Sequence, residues 1–221
     1  MLSVSFNEID ALVKRAARGA GFPWGVAEEA GKAASWLCQH GLDGTQLLAD
    51  ALESHARDGA SLTAPSALDG IWTAASGNLC PLMTGCTLAD CARLIEGRNT
   101  IQMGRISYPA IIASFASAIS AATGKPVVLA WGNASMIVDA ATGIADASGS
   151  DLVSPLAESM ELTLAPAAAA KASRPTERLP RSAMVNPQIW SRLNQLAERT
   201  FAPDTEASRV KGAGAGLNDN D

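Results

Sequence analysis

The chain opens with three helical patterns in succession. Ser5 and Glu8 stand at capping-box spacing, and Ile9, Leu12, Val13, Ala16 and Ala17 then recur every three or four residues, the period of one helix face. Gly19-Ala20-Gly21 closes that helix. Pro23 suits a first helical turn, and Val26, Ala30, Ala33, Ala34 and Leu37 mark the face of a second helix ending at Gly41. A third, from Thr45 to Arg57, aligns Leu47, Leu48, Ala51, Leu52 and His55. Three helices joined by short glycine turns predict an N-terminal helical layer.

Beyond this layer the pattern changes. Residues 59–70 are mostly Gly, Ser, Ala, Thr and Pro, which predicts a loop. Ile71–Ala75 fits a strand or a helical turn, Thr87 is expected to cap a helix running through Leu94 and Ile95, and Thr100–Ile106 reads as a short strand. Pro109 then opens a helix with Ile111, Ile112, Phe115, Ala118 and Ile119, stopped by Gly124. Its faces are nearly all apolar or small, so it is expected to be the buried central helix. Val127–Trp131 and Ser135–Val138, separated by Gly132-Asn133-Ala134, predict a hairpin. Glu158–Leu164 alternates, with Met160, Leu162 and Leu164 facing inward.

Residues 165–182 are low in complexity and predict a long surface excursion. Asn186-Pro187 supplies an N-cap and a first-turn proline for a last helix bearing Ile189, Leu193, Leu196 and Ala197. The fold class expected is α+β. An N-terminal helical layer (1–58) precedes an α+β core (71–221) whose central apolar helix packs on a small antiparallel sheet, with a C-terminal helix and a docked glycine-rich tail. The two parts also fit a single domain, 1–221.

Composition narrows the function classes. The net charge of −5 disfavours nucleic acid as a partner, since neutralising phosphates needs a basic face. The charge is uneven: residues 1–170 hold 9 Lys/Arg against 16 Asp/Glu, and residues 171–211 hold 8 against 4. A basic C-terminal arm follows an acidic body. The opening residues have no basic n-region and the longest apolar stretch, near Tyr108–Ala122, is short and rich in Ser. The expectation is a cytoplasmic protein with no membrane partner.

Two stretches resemble a known family. Arg199-Thr-Phe-Ala-Pro-Asp-Thr-Glu-Ala-Ser-Arg209, running into Gly212-Ala-Gly-Ala-Gly216, is similar to the C-terminal signature of a bacterial family known only as a domain of unknown function. Lys14–Gly31, with its Gly-Phe-Pro-Trp-Gly centre, matches the same family. The resemblance implies no activity, substrate or cofactor. The helical opening also resembles the start of the malate/lactate dehydrogenases that lack a Rossmann fold, but only to about residue 55, and no activity is carried over from it.

The candidate chemistry lies mainly in the tail. Gly212–Gly216 lacks the Gly-Lys-Ser/Thr ending of a Walker loop and the strand and helix that flank a dinucleotide fingerprint. Its amides, flanked by Arg209 and Lys211, instead suit an anion-binding nest made with Gly212, Gly214 and Gly216. Arg15 and Arg18, three apart on one helix, could add a bidentate clamp. The tail is expected to dock with Phe201 buried and Arg209 paired with a carboxylate or a bound anion.

Other residues point to structure rather than chemistry. His40 and His55, the chain's two imidazoles, sit in helical turns, and Glu28 and Glu29 complement a helix dipole. Cys80, Cys86 and Cys91 lack paired zinc-ligand spacing, so no metal site is expected, and no catalytic residue or cofactor is indicated. Two function classes fit these residues. One is a protein that binds a small anion, a carboxylate or a phosphate, with or without catalysis. The other is a non-catalytic homo-oligomeric assembly module held by the basic arm.

Overall fold

The structure is a computed structural model that describes residues 1–57, 63–166, 169 and 180–201. In chain order the first part comprises β1 (Leu2–Ser5), α1 (Phe6–Gly19), α2 (Trp24–Gln39), α3 (Gly44–Arg57), α4 (Pro81–Asp90) and α5 (Ala92–Arg98). Then come β2 (Thr100–Met103), β3 (Ile106–Ser107), a 3-10 turn at Pro109–Ile111 and α6 (Ile112–Thr123). The remainder comprises β4 (Val127–Trp131), β5 (Ala134–Asp139), β6 (Gly143–Ser148), β7 (Leu156–Ala157), β8 (Met160–Leu164), β9 (Ser182–Val185) and α7 (Pro187–Glu198). The fold is α+β.

The helical layer forms as its pattern requires. Ser5 Oγ accepts the Glu8 amide at 3.3 Å while Glu8 Oε2 accepts the Ser5 amide at 2.9 Å, which satisfies two amides at the start of α1. Ile9, Leu12, Val13, Ala16 and Ala17 are all buried. Small residues let the helices close on one another: a Cβ on Gly31 of α2 would lie 2.6 Å from the Asp10 carbonyl oxygen of α1, and one on Gly19 would lie 1.7 Å from the Leu196 carbonyl oxygen of α7. The C-terminal helix thus returns to the N-terminal layer. It starts where Asn186-Pro187 places it, with Asn186 Oδ1 accepting the Gln188 amide at 2.9 Å.

The main sheet is antiparallel throughout, in the order β2-β8-β4-β5-β6. The hairpin turns at Gly132-Asn133, with Trp131 opposite Ala134, and β8 buries Met160, Leu162 and Leu164 as its alternation predicts. Helix α6 packs on β4 and β5 and ends at Gly124, whose φ of 67° gives the left-handed stop. Its burial is one-sided, however. Ala118, Ala121 and Ala122 are exposed, because alanine faces pack equally well outward and their uniform apolarity hides the helix's solvent side.

Two other expectations shift. Thr87 lies inside α4 and returns its hydroxyl to the Met83 carbonyl at 2.9 Å; the helix starts earlier, at Cys80-Pro81, with the proline in the first turn. Ile71–Ala75 contributes one parallel bridge, Trp72 to Met103, followed by a second from Leu79 to Ile106. These bridges lay residues 72–79 beside residues 103–106 and bring Asn78 next to Ser107. Among the described residues, no helix is long and apolar enough to cross a membrane.

Candidate functional site

A cleft opens where the C-terminal half of α3, the start of α4 and the residues around β3 meet. It holds about 500 Å3 of empty space, its open mouth included, and Phe22, Leu79 and Leu82 give it an apolar floor. His55, Asn78, Cys80, Ser107 and Tyr108 supply its polar lining.

Asn78 is the unusual member. Its Nδ2 donates to Ser107 Oγ at 2.7 Å, and its own carbonyl accepts the Thr63 hydroxyl at 2.9 Å. Its Oδ1 is buried and has no hydrogen-bond partner. Turning the amide over would leave Nδ2 unpaired instead, so one polar atom of this side chain lacks a partner in either orientation. Such an orphan costs about 1–3 kcal/mol.

Tyr108, the chain's single tyrosine, carries a second tension. Its φ of 44° and ψ of 58° place a bulky residue in the left-handed region, just before a proline. Two hydrogen bonds hold it there: its amide donates to the Pro155 carbonyl at 2.9 Å, and its carbonyl accepts the Ile111 amide at 3.0 Å. Burial pushes its phenol pKa up, with the Asp50 carboxylate adding to the shift, so the hydroxyl is a donor across the neutral range.

Cys80 caps α4 by position, where a thiolate would gain from the helix amides. Burial outweighs the pull of the Met83 and Leu82 amides and raises its pKa, so the thiol stays protonated. His55 lies against Phe22, with ring centroids 4.2 Å apart. Among the described residues, no three His, Cys, Asp or Glu side chains gather as a metal site.

Beside the cleft, on the next stripe of α3, Arg192 of α7 holds two carboxylates. Its Nε and Nη2 donate to Glu53 at 2.8 and 2.7 Å, and Nη2 also reaches Asp50 at 2.6 Å. The bidentate bond from Arg192 holds the Glu53 carboxyl below its ordinary pKa. A second concavity, which shares no lining residue with the cleft, is bounded by Glu53, Ala56, Arg57 and Arg199.

The residues singled out in the sequence have separate positions. Arg18 donates to the Phe22 carbonyl and lies 4.7 Å over the Trp24 ring, while Arg15 turns back to the Ala11 carbonyl at 3.4 Å. The two guanidinium groups therefore engage different partners. His40 bonds the Trp36 carbonyl through Nδ1 at 2.7 Å, stacks on Trp36, and meets Gly143 at the turn into β6. Glu29 pairs with Lys32 at 2.7 Å, and Glu28 is exposed. Arg209, Lys211, Gly212, Gly214 and Gly216 lie outside the described residues. Phe201 is 61% exposed rather than buried.

Sequence reasoning missed Asn78, Ser107 and Tyr108. Two signals were available: the Cys80-Pro81 helix start, which fixes Asn78 just ahead of it, and the single tyrosine standing before Pro109.

Residues 4–103 match the model of a family described as "Protein of unknown function (DUF3726)". The matched stretch includes Lys14–Gly31, one of the two stretches that carry the resemblance, and the cleft residues Phe22, His55, Asn78 and Cys80. It stops short of Ser107 and Tyr108, and of the C-terminal signature. No curated protein and no solved structure matches the chain.

Proposed function

We propose that the protein binds a small polar molecule in the cleft, one that presents a donor and an acceptor side by side, as a primary amide or a hydroxy acid does. The observation that carries this reading is Asn78 Oδ1, a buried acceptor without a partner on a side chain that lines the cleft. With a small turn of the Asn78 side chain toward the cleft, a ligand N–H or O–H satisfies Oδ1. The protonated Tyr108 phenol supplies a donor for the ligand's carbonyl, and Phe22, Leu79 and Leu82 cover its carbon atoms. The left-handed backbone of Tyr108 supports the same reading, since strain of about 1–3 kcal/mol kept at a cleft wall is typical of residues aimed for a purpose.

Propionamide is the simplest probe. Saturation transfer from the wild-type protein to propionamide is expected, and Asn78→Leu should abolish it without lowering the melting temperature. Equal transfer from both proteins, or a crystal soaked in propionamide that shows only water at Asn78 Oδ1, would overturn the reading.

A further inference from the structure

We propose that the ligand is an uncharged cyclic amide, a lactam or an oxopyrimidine, whose ring N–H and C=O lie side by side and are read by Asn78 and Ser107 as a pair. This rests on the cleft reading above and names the ligand class of the same site.

Both side chains line the cleft, and a hydrogen bond couples them, from Asn78 Nδ2 to Ser107 Oγ at 2.7 Å. That bond occupies a lone pair of the hydroxyl and leaves its proton, which is given to no described residue. The pair therefore offers an acceptor, Asn78 Oδ1, and a donor, the Ser107 hydroxyl. Turning the amide over exchanges the roles and keeps the balance. Oδ1 would then accept the serine proton, which leaves Nδ2 as the donor and Ser107 Oγ as the acceptor. In either orientation the coupled pair presents a donor beside an acceptor.

The complement of such a pair is an amide edge with N–H and C=O on the same side. An ordinary secondary amide, the peptide bond included, is trans and points the two groups in opposite directions. Closing the amide into a small ring locks the cis form. A primary amide also presents both groups, but it carries a second N–H on the side of its own carbon chain. The carbon atoms lie on the floor of Phe22, Leu79 and Leu82, buried apolar side chains that accept no hydrogen bond. That N–H would go unpaired, a loss that a ring nitrogen avoids.

The lining also sets charge and shape. No Asp, Glu, Lys or Arg lines the cleft, so an ionised ligand would leave water with no counter-charge from these side chains. This keeps the amide and removes the hydroxy acid. His55, stacked on Phe22 with centroids 4.2 Å apart, supplies an aromatic wall against which a flat ring packs.

The test is a set of NMR titrations on the full chain at about pH 8, above the ordinary imidazole pKa of about 6.5. The probes are propionamide, δ-valerolactam, its N-methyl derivative and N-methylacetamide. δ-Valerolactam should bind about 5-fold more tightly than propionamide or better, the gain from removing an unpaired N–H. The N-methyl lactam, which lacks the N–H, and N-methylacetamide, whose amide is trans, should each bind at least about 10-fold more weakly than the lactam. Ser107→Ala should weaken lactam binding several-fold, and Asn78→Leu should abolish it. If propionamide binds and δ-valerolactam binds no more tightly, the cyclic-amide inference fails and the cleft reading stands. Equal binding of the lactam and either N-methyl compound would mean that no amide edge is read, and would overturn the inference, as would unchanged lactam binding in Ser107→Ala. If neither propionamide nor the lactam binds, both readings fail.

Discussion

The seam among α1, α2 and α7 and the cleft wall at Asn78–Tyr108 are built to opposite ends. At the seam, small residues bring backbones into contact, with no room for a methyl group at Gly19 or Gly31. Elsewhere in the helical layer the buried polar side chains are satisfied too: Thr45 Oγ1 of α3 donates to Asp43 at 2.7 Å, and Ser35 Oγ of α2 accepts from Gln39 at 3.2 Å. At the cleft wall the opposite holds. Asn78 Oδ1, on a side chain that lines the cleft, is buried without a partner among the described residues; Thr84 Oγ1, the other such atom, lies inside α4 and away from the cleft lining. Close packing uses up local freedom for stability, whereas the cleft wall keeps unmet hydrogen-bonding capacity and a strained tyrosine. The comparison separates the part of the molecule that holds the fold from the part arranged to meet something else.

The sharpest way to break that comparison is to load the seam. Gly19→Ala places a methyl group 1.7 Å from a backbone oxygen of α7, which cannot swing aside as a side-chain tip would. Overpacking of this kind costs about 1–3 kcal/mol and occasionally more, and the backbone clash puts this site at about 3 kcal/mol by denaturant unfolding. A change below about 1 kcal/mol would mean that α7 is loosely held and that the seam is no tighter than the cleft.

A smaller effect comes from the ion cluster joining α3 to α7. Glu53→Gln keeps the shape and loses the charge, and about 1 kcal/mol of stability at pH 7 is expected from a partly exposed, bidentate pair. The pH dependence follows from the lowered carboxyl pKa of Glu53. The folded state holds its proton less tightly than the unfolded chain, so the extra stability is present above the unfolded value of about 4.3 and is lost as pH falls through the folded one. Wild type and Glu53→Gln should therefore differ at pH 7 and converge in acid. A gap that persists at pH 2 would assign the effect to packing rather than charge.

The seam was largely legible in the sequence and the cleft was not, for a physical reason. Capping boxes, first-turn prolines and helical periodicity act within a few residues, so Ser5–Glu8, Asn186-Pro187 and the Gly132-Asn133 hairpin could be read directly. The cleft depends on meetings between distant stretches. Asn78 reaches Ser107 across 29 positions, and Arg192 reaches Glu53 across 139. The pairing of β1 with β9, Leu2 opposite Val185, is equally non-local and left no trace in either strand's pattern. Arg15 and Arg18 drew attention because they are neighbours in sequence, whereas Arg57 and Arg199 line one concavity only through the packing of α3 and α7.

The smallest expected change in stability belongs to Tyr108, and it discriminates most finely between the two regions. Tyr108→Phe keeps the ring, the left-handed backbone and the bonds to Pro155 and Ile111, and removes only the hydroxyl, which makes no recorded hydrogen bond to a described residue. If the hydroxyl serves the ligand, unfolding free energy should change by less than about 0.5 kcal/mol, the range of substitutions that break no internal contact. Propionamide binding should nonetheless fall several-fold. Because burial raises the phenol pKa above its ordinary value near 10, the hydroxyl remains a donor, and wild-type binding should be level from about pH 6 to 9. A structural hydroxyl would give the reverse pattern: a stability loss of about 1 kcal/mol, as for an ordinary internal hydrogen bond, with unchanged propionamide binding. That outcome would make Tyr108 part of the packed framework, and would leave the unpartnered Asn78 Oδ1 to carry the cleft reading by itself.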